Sequence, residues 1–240
     1  MAKLKTVTRH LVILHGWTLD PTVIDKWQPI IKLLTNQGFT VYFWPLPGLA
    51  EIPKKPLTLA DYVTWLKNKT KSLKNFTLLG HSFGGQLAIR FTRLYPAKIE
   101  KLILVDSSGL IDTSLFKTMK RFVFKAIAKT GKTIIKSARF RRLLHRFARE
   151  TDYYEAAPIQ RETMKNVLAE EISADLSMLK PQTLIIWGKK DRVTPLKFGR
   201  LMAQVIPQAK LKIVDEARHS PIYTHPQVVA GLVSKFIKKI

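Results

Sequence analysis

The sequence predicts an α/β domain with a mostly parallel sheet of about six strands, flanked by helices and carrying a helical insertion. Short apolar or β-branched runs alternate with amphipathic stretches along most of the chain, which is typical of parallel strands joined by crossover helices. The stretch 110–175 has only helical patterns and no convincing strand. A length of 240 residues fits one domain of generous size.

The first helix is expected between two strands. Residues 11–14 are all apolar, as in a short buried strand. Asp20-Pro21 offers an N-cap followed by proline at the first helical position, so we expect a helix that starts there and stops at Gly38. Residues 39–44 are β-branched and aromatic, which predicts the second strand.

Strands and helices keep alternating along the rest of the chain. Thr58, with Asp61 three residues later, indicates a helix start, and strands are predicted at 76–79 and 99–105 around a helix at 84–95. The last predicted elements are strand 183–187, helix 196–205, strand 210–214 and helix 226–240. We therefore assign 1–109 and 176–240 to the α/β core and 110–175 to the insertion.

Composition excludes several kinds of site. The chain has no cysteine, so disulfides, thiolate catalysis, cysteine-ligated zinc and iron–sulfur clusters are ruled out. No apolar run reaches the roughly 7–15 residues of a secretory leader or the roughly 20 of a spanning helix. A soluble cytoplasmic protein is therefore expected. Lysine and arginine total 41 against 17 acidic residues, a net charge of +24, which bears on partners rather than on fold.

A candidate nucleophile lies between the third strand and the helix that follows it. Residues 80–84 read Gly-His-Ser-Phe-Gly, the G-x-S-x-G pattern of a sharp strand-to-helix turn. Such a turn holds Ser82 in strained backbone geometry, and its neighbours must be glycine to avoid clashes. The start of the helix points its positive end toward the place where an oxyanion would form.

A serine nucleophile needs a base, and the base needs an orienting carboxylate. His219 follows the last predicted strand, where a loop can bring it over the strand ends; His225 is more readily a cap of the last helix. Asp191 follows the fifth strand and is favoured as the acid over Asp106, because its loop is adjacent to the strand that delivers His219. Three further histidines lie at a strand start, inside the elbow pointing away from the site, and in the insertion: His10, His81 and His145.

These motifs, in this order, resemble the α/β-hydrolase superfamily, and the resemblance covers nearly the whole chain. It identifies the sequence as similar to serine carboxylesterases of that fold, with a catalytic Ser82–His219–Asp191 triad. By the same resemblance, His15-Gly16-Trp17 provides an oxyanion hole from the backbone N–H groups of Trp17 and Phe83. The insertion then corresponds to a helical cap over the active site. Few residues precede the first strand, so the family's N-terminal hairpin is expected to be short or missing.

The expected chemistry is acyl transfer to water, with a small-molecule or acyl-carrier ester as substrate and no cofactor or metal. A serine at the elbow argues against members of the fold that use a carboxylate nucleophile. Three alternatives stay open at this point: a C–C bond hydrolase of the same fold, a membrane-surface lipase, and a non-catalytic binding protein.

The insertion is strongly basic. Between Thr113 and Arg149 there are twelve lysines and arginines and no acidic residue, with apolar residues interleaved. A solvated helix face explains this pattern, and so does an acidic partner protein or an anionic membrane surface, which would make the protein peripheral to the membrane. Nucleic acid is disfavoured because no nucleic-acid-binding motif is present.

Overall fold

The computed structural model describes residues 9–110 and 155–238. In chain order the elements are β1 Arg9–Leu14, α1 Val23–Asn36, β2 Phe39–Phe43, α2 Leu59–Lys69, β3 Phe76–His81, α3 Phe83–Leu94, a 3-10 turn Pro96–Lys98, β4 Ile99–Val105, α4 Pro158–Ala169, α5 Ser173–Leu176, β5 Gln182–Gly188, α6 Leu196–Val205, β6 Ala209–Val214, α7 Pro221–Thr224 and α8 Pro226–Lys238.

The predicted six-strand sheet is confirmed, and each of its five neighbouring pairs is parallel. The strand order is β2-β1-β3-β4-β5-β6. The direction of winding reverses between β1 and β3, and ligands of open α/β sheets bind outside the carboxyl ends of the strands at such a switch point. Leu14 of β1 is paired with Gly80 of β3, so the predicted elbow opens into that crevice.

Two apolar clusters cover the two faces of the sheet. Alternation along β1 sends Val12 and Leu14 to one cluster and Leu11 and Ile13 to the other. Helices α2, α3, α4 and α6 pack on the first face, and α1 and α8 pack on the second. Burial on both faces explains why the central strands β1, β3, β4 and β5 are largely apolar, whereas the edge strand β6 is only partly buried and contains two lysines. In the two described ranges, every helix is too short or too polar to cross a membrane.

The predicted start of the first helix is wrong. Asp20 does not cap α1, which begins at Val23 after the N-cap residue Thr22. The carboxylate of Asp20 instead accepts hydrogen bonds from the backbone N–H and the hydroxyl of Thr22, at 2.8 and 2.7 Å. Aspartate readily makes such local turns, so the Asp-Pro signal marks a turn that precedes the helix by two residues. Most of the other predicted boundaries differ by one or two residues.

The predicted capping signal at α2 is a complete capping box. The hydroxyl of Thr58 accepts a hydrogen bond from the backbone N–H of Asp61, and the Asp61 carboxylate accepts one from the backbone N–H of Thr58 at 2.8 Å. Replacing Thr58 by alanine should lower the free energy of unfolding by about 1 kcal/mol, because the first turn loses an acceptor. Urea unfolding measures this change.

A second threonine on the same helix provides the control. Thr64 is exposed on α2, and its hydroxyl donates to the carbonyl of Ala60 within the helix. Thr64→Ala should leave stability unchanged or raise it slightly, since alanine has the higher helix propensity. Equal losses from Thr58→Ala and Thr64→Ala would contradict the capping argument.

Candidate active site

The elbow forms as the sequence predicts. Ser82 joins β3 to α3 with φ of 52°, a left-handed conformation that is costly for a residue other than glycine. A side chain on Gly80 would collide with the backbone of Gly84, and one on Gly84 would collide with the backbone of Leu14. The helix, the elbow and β1 therefore approach so closely that both positions require glycine.

Backbone hydrogen bonds bring the two other candidate loops together. The N–H of Lys190, in the loop after β5, donates to the carbonyl of Ala217 in the loop after β6 at 2.9 Å. A side chain on Gly188 would collide with the carbonyls of Ala217 and Arg218. This close approach places Asp191 next to His219.

The structure brings Ser82, His219 and Asp191 into one hydrogen-bonded chain. Nε2 of His219 lies 3.0 Å from Oγ of Ser82, and its Nδ1 lies 2.9 Å from Oδ2 of Asp191. All three residues are 6% exposed. With Nδ1–H donated to the carboxylate, Nε2 is left as an acceptor for the serine proton, which is the arrangement that general-base activation requires.

Asp191 is held by its own loop. Its Oδ1 accepts the backbone N–H groups of Val193 and Thr194 at 2.7 and 3.0 Å, and its Oδ2 accepts the hydroxyl of Thr194 at 2.7 Å. These three hydrogen bonds fix the orientation of the carboxylate toward the imidazole. The role of Thr194 was not predicted, although a hydroxyl three residues after an aspartate is a common turn signal.

Trp17 and Phe83, the predicted oxyanion donors, both lie beside Ser82. Their rings are 6.3 Å apart, and both residues line a cavity with Ser82. Phe83 is the first residue of α3, and a backbone N–H at that position has no acceptor within its helix. The positive end of α3 adds to the stabilisation that a developing negative charge would receive there.

Two buried histidines pack against the site through contacts that the sequence did not reveal. His81, which was expected to point away from the site, donates from Nε2 to the backbone carbonyl of His219 at 2.9 Å and lines a cavity together with Ser82. His15 accepts the backbone N–H of Leu46 at its Nε2, 2.8 Å away. Burial lowers the pKa of His81 to about 3 and that of His15 to about 4, so both rings are neutral.

The rival acid lies in the same cluster but does not bind the imidazole. Asp106 follows β4, is fully buried, and accepts the backbone N–H of Gly188 at its Oδ1, 2.8 Å away. Nδ1 of His219 donates its hydrogen bond to Asp191 instead. Within the described part of the chain, Asp106, Asp191 and His219 form a group whose ligand atoms lie close enough together to hold a metal ion, but both ring nitrogens of His219 are engaged by Asp191 and Ser82.

The remaining predicted residues lie elsewhere. His225 ends α7, and its backbone carbonyl accepts the N–H of Val229, while its ring contacts the hydroxyl of Thr224 at 2.8 Å. His10 is in β1, with its ring 3.1 Å from the hydroxyl of Tyr42. His145 and the twelve basic residues of the insertion lie outside the described residues.

Two cavities meet at Ser82. The described lining of the smaller, apolar cavity combines elbow residues with residues of α4: Trp17, Ser82, Phe83, Gln86, Ser108, Met164, Val167 and Leu168. The described lining of the larger, polar cavity is Gly16, Trp17, Thr18, Val23, Lys26, His81, Ser82, His219, Ser220 and Tyr223. Of the two, the polar cavity is the one that His219 borders.

Comparison with known proteins identifies the family. A family model described as alpha/beta hydrolase fold matches residues 9–226. The chain belongs to the α/β hydrolase fold family. This agrees with the resemblance seen in the elbow, acid and base motifs, and with the all-parallel pairing of the sheet.

Individual relatives of this α/β hydrolase include esterases. A pimeloyl-[acyl-carrier protein] methyl ester esterase of Legionella pneumophila (strain Corby) is 26% identical over 242 residues, covering 95% of each chain. The AB hydrolase superfamily protein YisY of Bacillus subtilis (strain 168) is 25% identical and covers 95% of this chain and 91% of that one. A hydrolase structure from Pseudomonas aeruginosa PA01 aligns with a TM-score of 0.70 at 22% identity, covering 96% of this chain and 90% of the other.

The match to the solved structure shows a shared fold and nothing more, because the two sequences are only 22% identical. The esterase relatives and the family match together support an enzyme, specifically a carboxylic ester hydrolase of the α/β hydrolase fold.

Proposed function

We propose that this α/β hydrolase is a serine esterase that cleaves a carboxylic ester through an acyl-enzyme on Ser82. The observation that carries the proposal is the continuous chain of hydrogen bonds from Ser82 through His219 to Asp191 at a strained elbow. The esterase relatives support the ester bond as the target.

In the proposed mechanism, Oγ of Ser82 attacks the ester carbonyl while His219 takes the proton of the serine hydroxyl. Asp191 keeps Nδ1 of His219 protonated and stabilises the imidazolium. The backbone N–H groups of Trp17 and Phe83 bind the oxyanion of the tetrahedral intermediate. His219 then protonates the departing alcohol. In the second half, His219 takes a proton from the water that attacks the acyl-enzyme and returns it to Ser82 as the carboxylic acid is released.

The two cavities orient the ester in this proposal. The leaving oxygen must come within reach of Nε2 of His219 to receive its proton, and of the two cavities only the polar one is lined by His219 in the described part of the chain. The alcohol group therefore lies in the polar cavity. The acyl chain takes the other side of Ser82, where Met164, Val167 and Leu168 present apolar surface.

An acyl-carrier ester is the proposed natural substrate. The relative from Legionella pneumophila is named for a pimeloyl-[acyl-carrier protein] methyl ester, and a basic surface suits an acidic carrier. The twelve basic residues between Thr113 and Arg149, which would supply that surface, lie outside the described residues. The assignment of 110–175 to a cap over the active site is part of the same proposal.

A labelling experiment tests the catalytic serine. A fluorophosphonate probe should label the folded wild-type protein and fail to label Ser82→Ala, while p-nitrophenyl esters of several chain lengths report turnover. Equal labelling of both proteins would refute the assignment of Ser82. Labelling without turnover of any ester would leave the nucleophile in place and refute the ester as substrate.

The acyl cavity leads to a prediction about chain length. Leu168 is half-buried on α4 and lines the apolar cavity, so Leu168→Trp should fill space that a longer acyl chain needs. We expect kcat/KM for octanoate esters to fall about tenfold or more, since excluding one or two methylenes is worth about 1–3 kcal/mol, with acetate esters little affected. p-Nitrophenyl ester kinetics measure both values.

The matched control is Leu201→Trp. Leu201 is 44% exposed on α6, away from the residues that line either cavity, so this variant should leave the chain-length profile unchanged. A uniform loss across all chain lengths in Leu168→Trp would contradict the assignment of this cavity to the acyl chain.

A further inference from the structure

Asp106 is a buried acid that the proposed mechanism does not use. It immediately follows β4, its side chain is inaccessible to solvent, and its φ of 42° is left-handed. Its backbone is fixed on both sides, because its N–H donates to the carbonyl of Ile186 and its carbonyl accepts the hydroxyl of Thr194, both at 3.1 Å. The position of the carboxyl group is therefore set by the sheet itself.

The two oxygens of Asp106 have different surroundings. Oδ1 accepts the N–H of Gly188, whereas Oδ2 is buried and has no hydrogen-bond partner as an acceptor in the described part of the chain. A carboxylate oxygen of Asp106 lies within 4.8 Å of a carboxylate oxygen of Asp191 and of a ring nitrogen of His219. Oδ2 is thus a buried acidic oxygen without a donor, on a carboxyl group that lies close to a second carboxylate.

Two negative charges cannot both be held in this position. The titratable groups that face Asp106 are Asp191 and His219, with neutral His81 behind them; the nearby lysines, Lys189 and Lys190, are exposed and paired with other acids. Asp191 has three donors of its own besides the imidazole, and Asp106 has one. Burial first, and then the charge of Asp191, raises the pKa of Asp106 well above its ordinary value.

We propose that Asp106 is a positioning residue that stays protonated and donates its Oδ2–H to the carboxylate of Asp191. This hydrogen bond uses the one oxygen of Asp106 that lacks a partner and adds a donor to Asp191 from the β4 side. Asp191 is then held from two loops, which keeps its Oδ2 directed at Nδ1 of His219. Neutral acids that donate buried hydrogen bonds in active sites are a known device.

The proposal rests on the proposed triad for its catalytic consequence, but its central claim can be tested without activity. Infrared spectra at pH 8, taken with and without ¹³C-labelled aspartate side chains, should show the carbonyl-stretch band of a protonated aspartic acid in the wild-type protein. Asp106→Asn should remove that band, and Asp215→Asn, an exposed acid near the same loops, should retain it. Absence of the band in the wild-type protein, or its persistence in Asp106→Asn, would overturn the proposal.

The positioning role is tested with a pair of variants. In Asp106→Asn the amide oxygen can accept from Gly188 and the amide N–H can donate to Asp191, so this variant should rescue most of the turnover that Asp106→Ala loses. The loss in Asp106→Ala should be about tenfold or more in kcat with little change in KM, because Asp191 is no longer held in place.

Each kinetic outcome is decisive. Full activity in Asp106→Ala would remove the positioning role, and a deep loss in Asp106→Asn would show an ionised Asp106 acting as the triad acid. Failure of every ester as substrate would refute the proposed function, while the infrared comparison would still decide the protonation state. That comparison needs only the wild-type protein and the asparagine variants, so it stands even if Asp106→Ala does not fold.

Discussion

Replacing Ser82 or His219 by alanine should lower kcat for ester hydrolysis by about 10⁴-fold or more, with the fold intact. The two side chains are 3.0 Å apart and act as one unit, so removing either abolishes proton-coupled attack, and the remaining rate reflects binding and the oxyanion donors alone. Asp191→Asn should cost somewhat less, since the base is still present. Steady-state kinetics with a p-nitrophenyl ester, together with circular dichroism of each variant, measure these effects.

Two matched variants control for substitution at neighbouring or similar residues. His225→Ala removes a half-buried histidine six residues after the base, and Ser177→Ala removes an exposed serine; both should retain wild-type kcat. A modest loss in His219→Ala, comparable to that of His225→Ala, would contradict the assignment of the base. If Asp106→Asn loses most of the kcat and Asp191→Asn loses little, the carboxylate of the triad is Asp106, which follows β4, rather than Asp191.

The elbow could be predicted from sequence because its constraints are local. Five consecutive residues specify a strand end, a strained turn and a helix start, and the glycines at positions 80 and 84 are required by contacts with backbone. His219 and Asp191 could also be predicted as candidates, since each follows a strand that the sequence predicts, and parallel strands bring their carboxyl ends to one edge of the sheet.

The contacts of His81 and His15 could not be predicted because each joins residues that are distant in sequence. His81 contacts the carbonyl of a residue 138 positions later, and His15 accepts from a backbone group 31 positions later. Each histidine, taken alone, has no feature that separates a buried neutral ring from an exposed one. Asp106 was recognised as an acid near the site, but its pairing with Gly188 depends on strand register, which sequence does not specify.

The boundary of the insertion shows a second limit of prediction from sequence. Helical periodicity correctly predicts helices in the described part of the insertion, where α4 lies and α5 begins. Periodicity does not show what a helix packs against. Met164 and Val167 of α4 belong to the core cluster that also contains Phe83 and Leu87 of α3, so this part of the insertion shares the apolar core of the α/β domain. The cap assignment of 110–175 stays a prediction.

Acidification from pH 6 to 5 should destabilise the protein through the two buried histidines. Both have a pKa below the unfolded value of about 6.5, so the unfolded state binds more protons. Their stabilisation is therefore complete above pH 6.5 and is lost as the pH falls toward about 4 for His15 and about 3 for His81. Protonating Nε2 of His15 would also break its hydrogen bond with Leu46.

Asp106 opposes this loss. Its raised pKa means that the folded state keeps a proton that the unfolded state releases above pH 3.8, so its contribution to stability grows as the pH falls. The two protons taken up by the unfolded histidines outnumber the single proton that Asp106 can retain, so the unfolded state still binds more protons in total. The free energy of unfolding should therefore fall as the pH is lowered from 6 to 5. Asp20, whose pKa is lowered to about 2, contributes mainly below this window.

The double variant His15→Gln/His81→Gln should remove this loss of stability. With both histidines gone, the free energy of unfolding should no longer fall on acidification from pH 6 to 5, a change in slope of roughly 2 kcal/mol per pH unit relative to the wild-type protein, because two histidine protons no longer separate the folded and unfolded states. Urea unfolding at several pH values measures the slope, which is independent of how much stability the substitutions cost at neutral pH. Each single variant should lie near the midpoint, and His225→Ala should keep the wild-type slope. A double variant that still loses stability on acidification at the wild-type rate would show that these two rings are not the neutral, buried groups that their hydrogen bonds indicate.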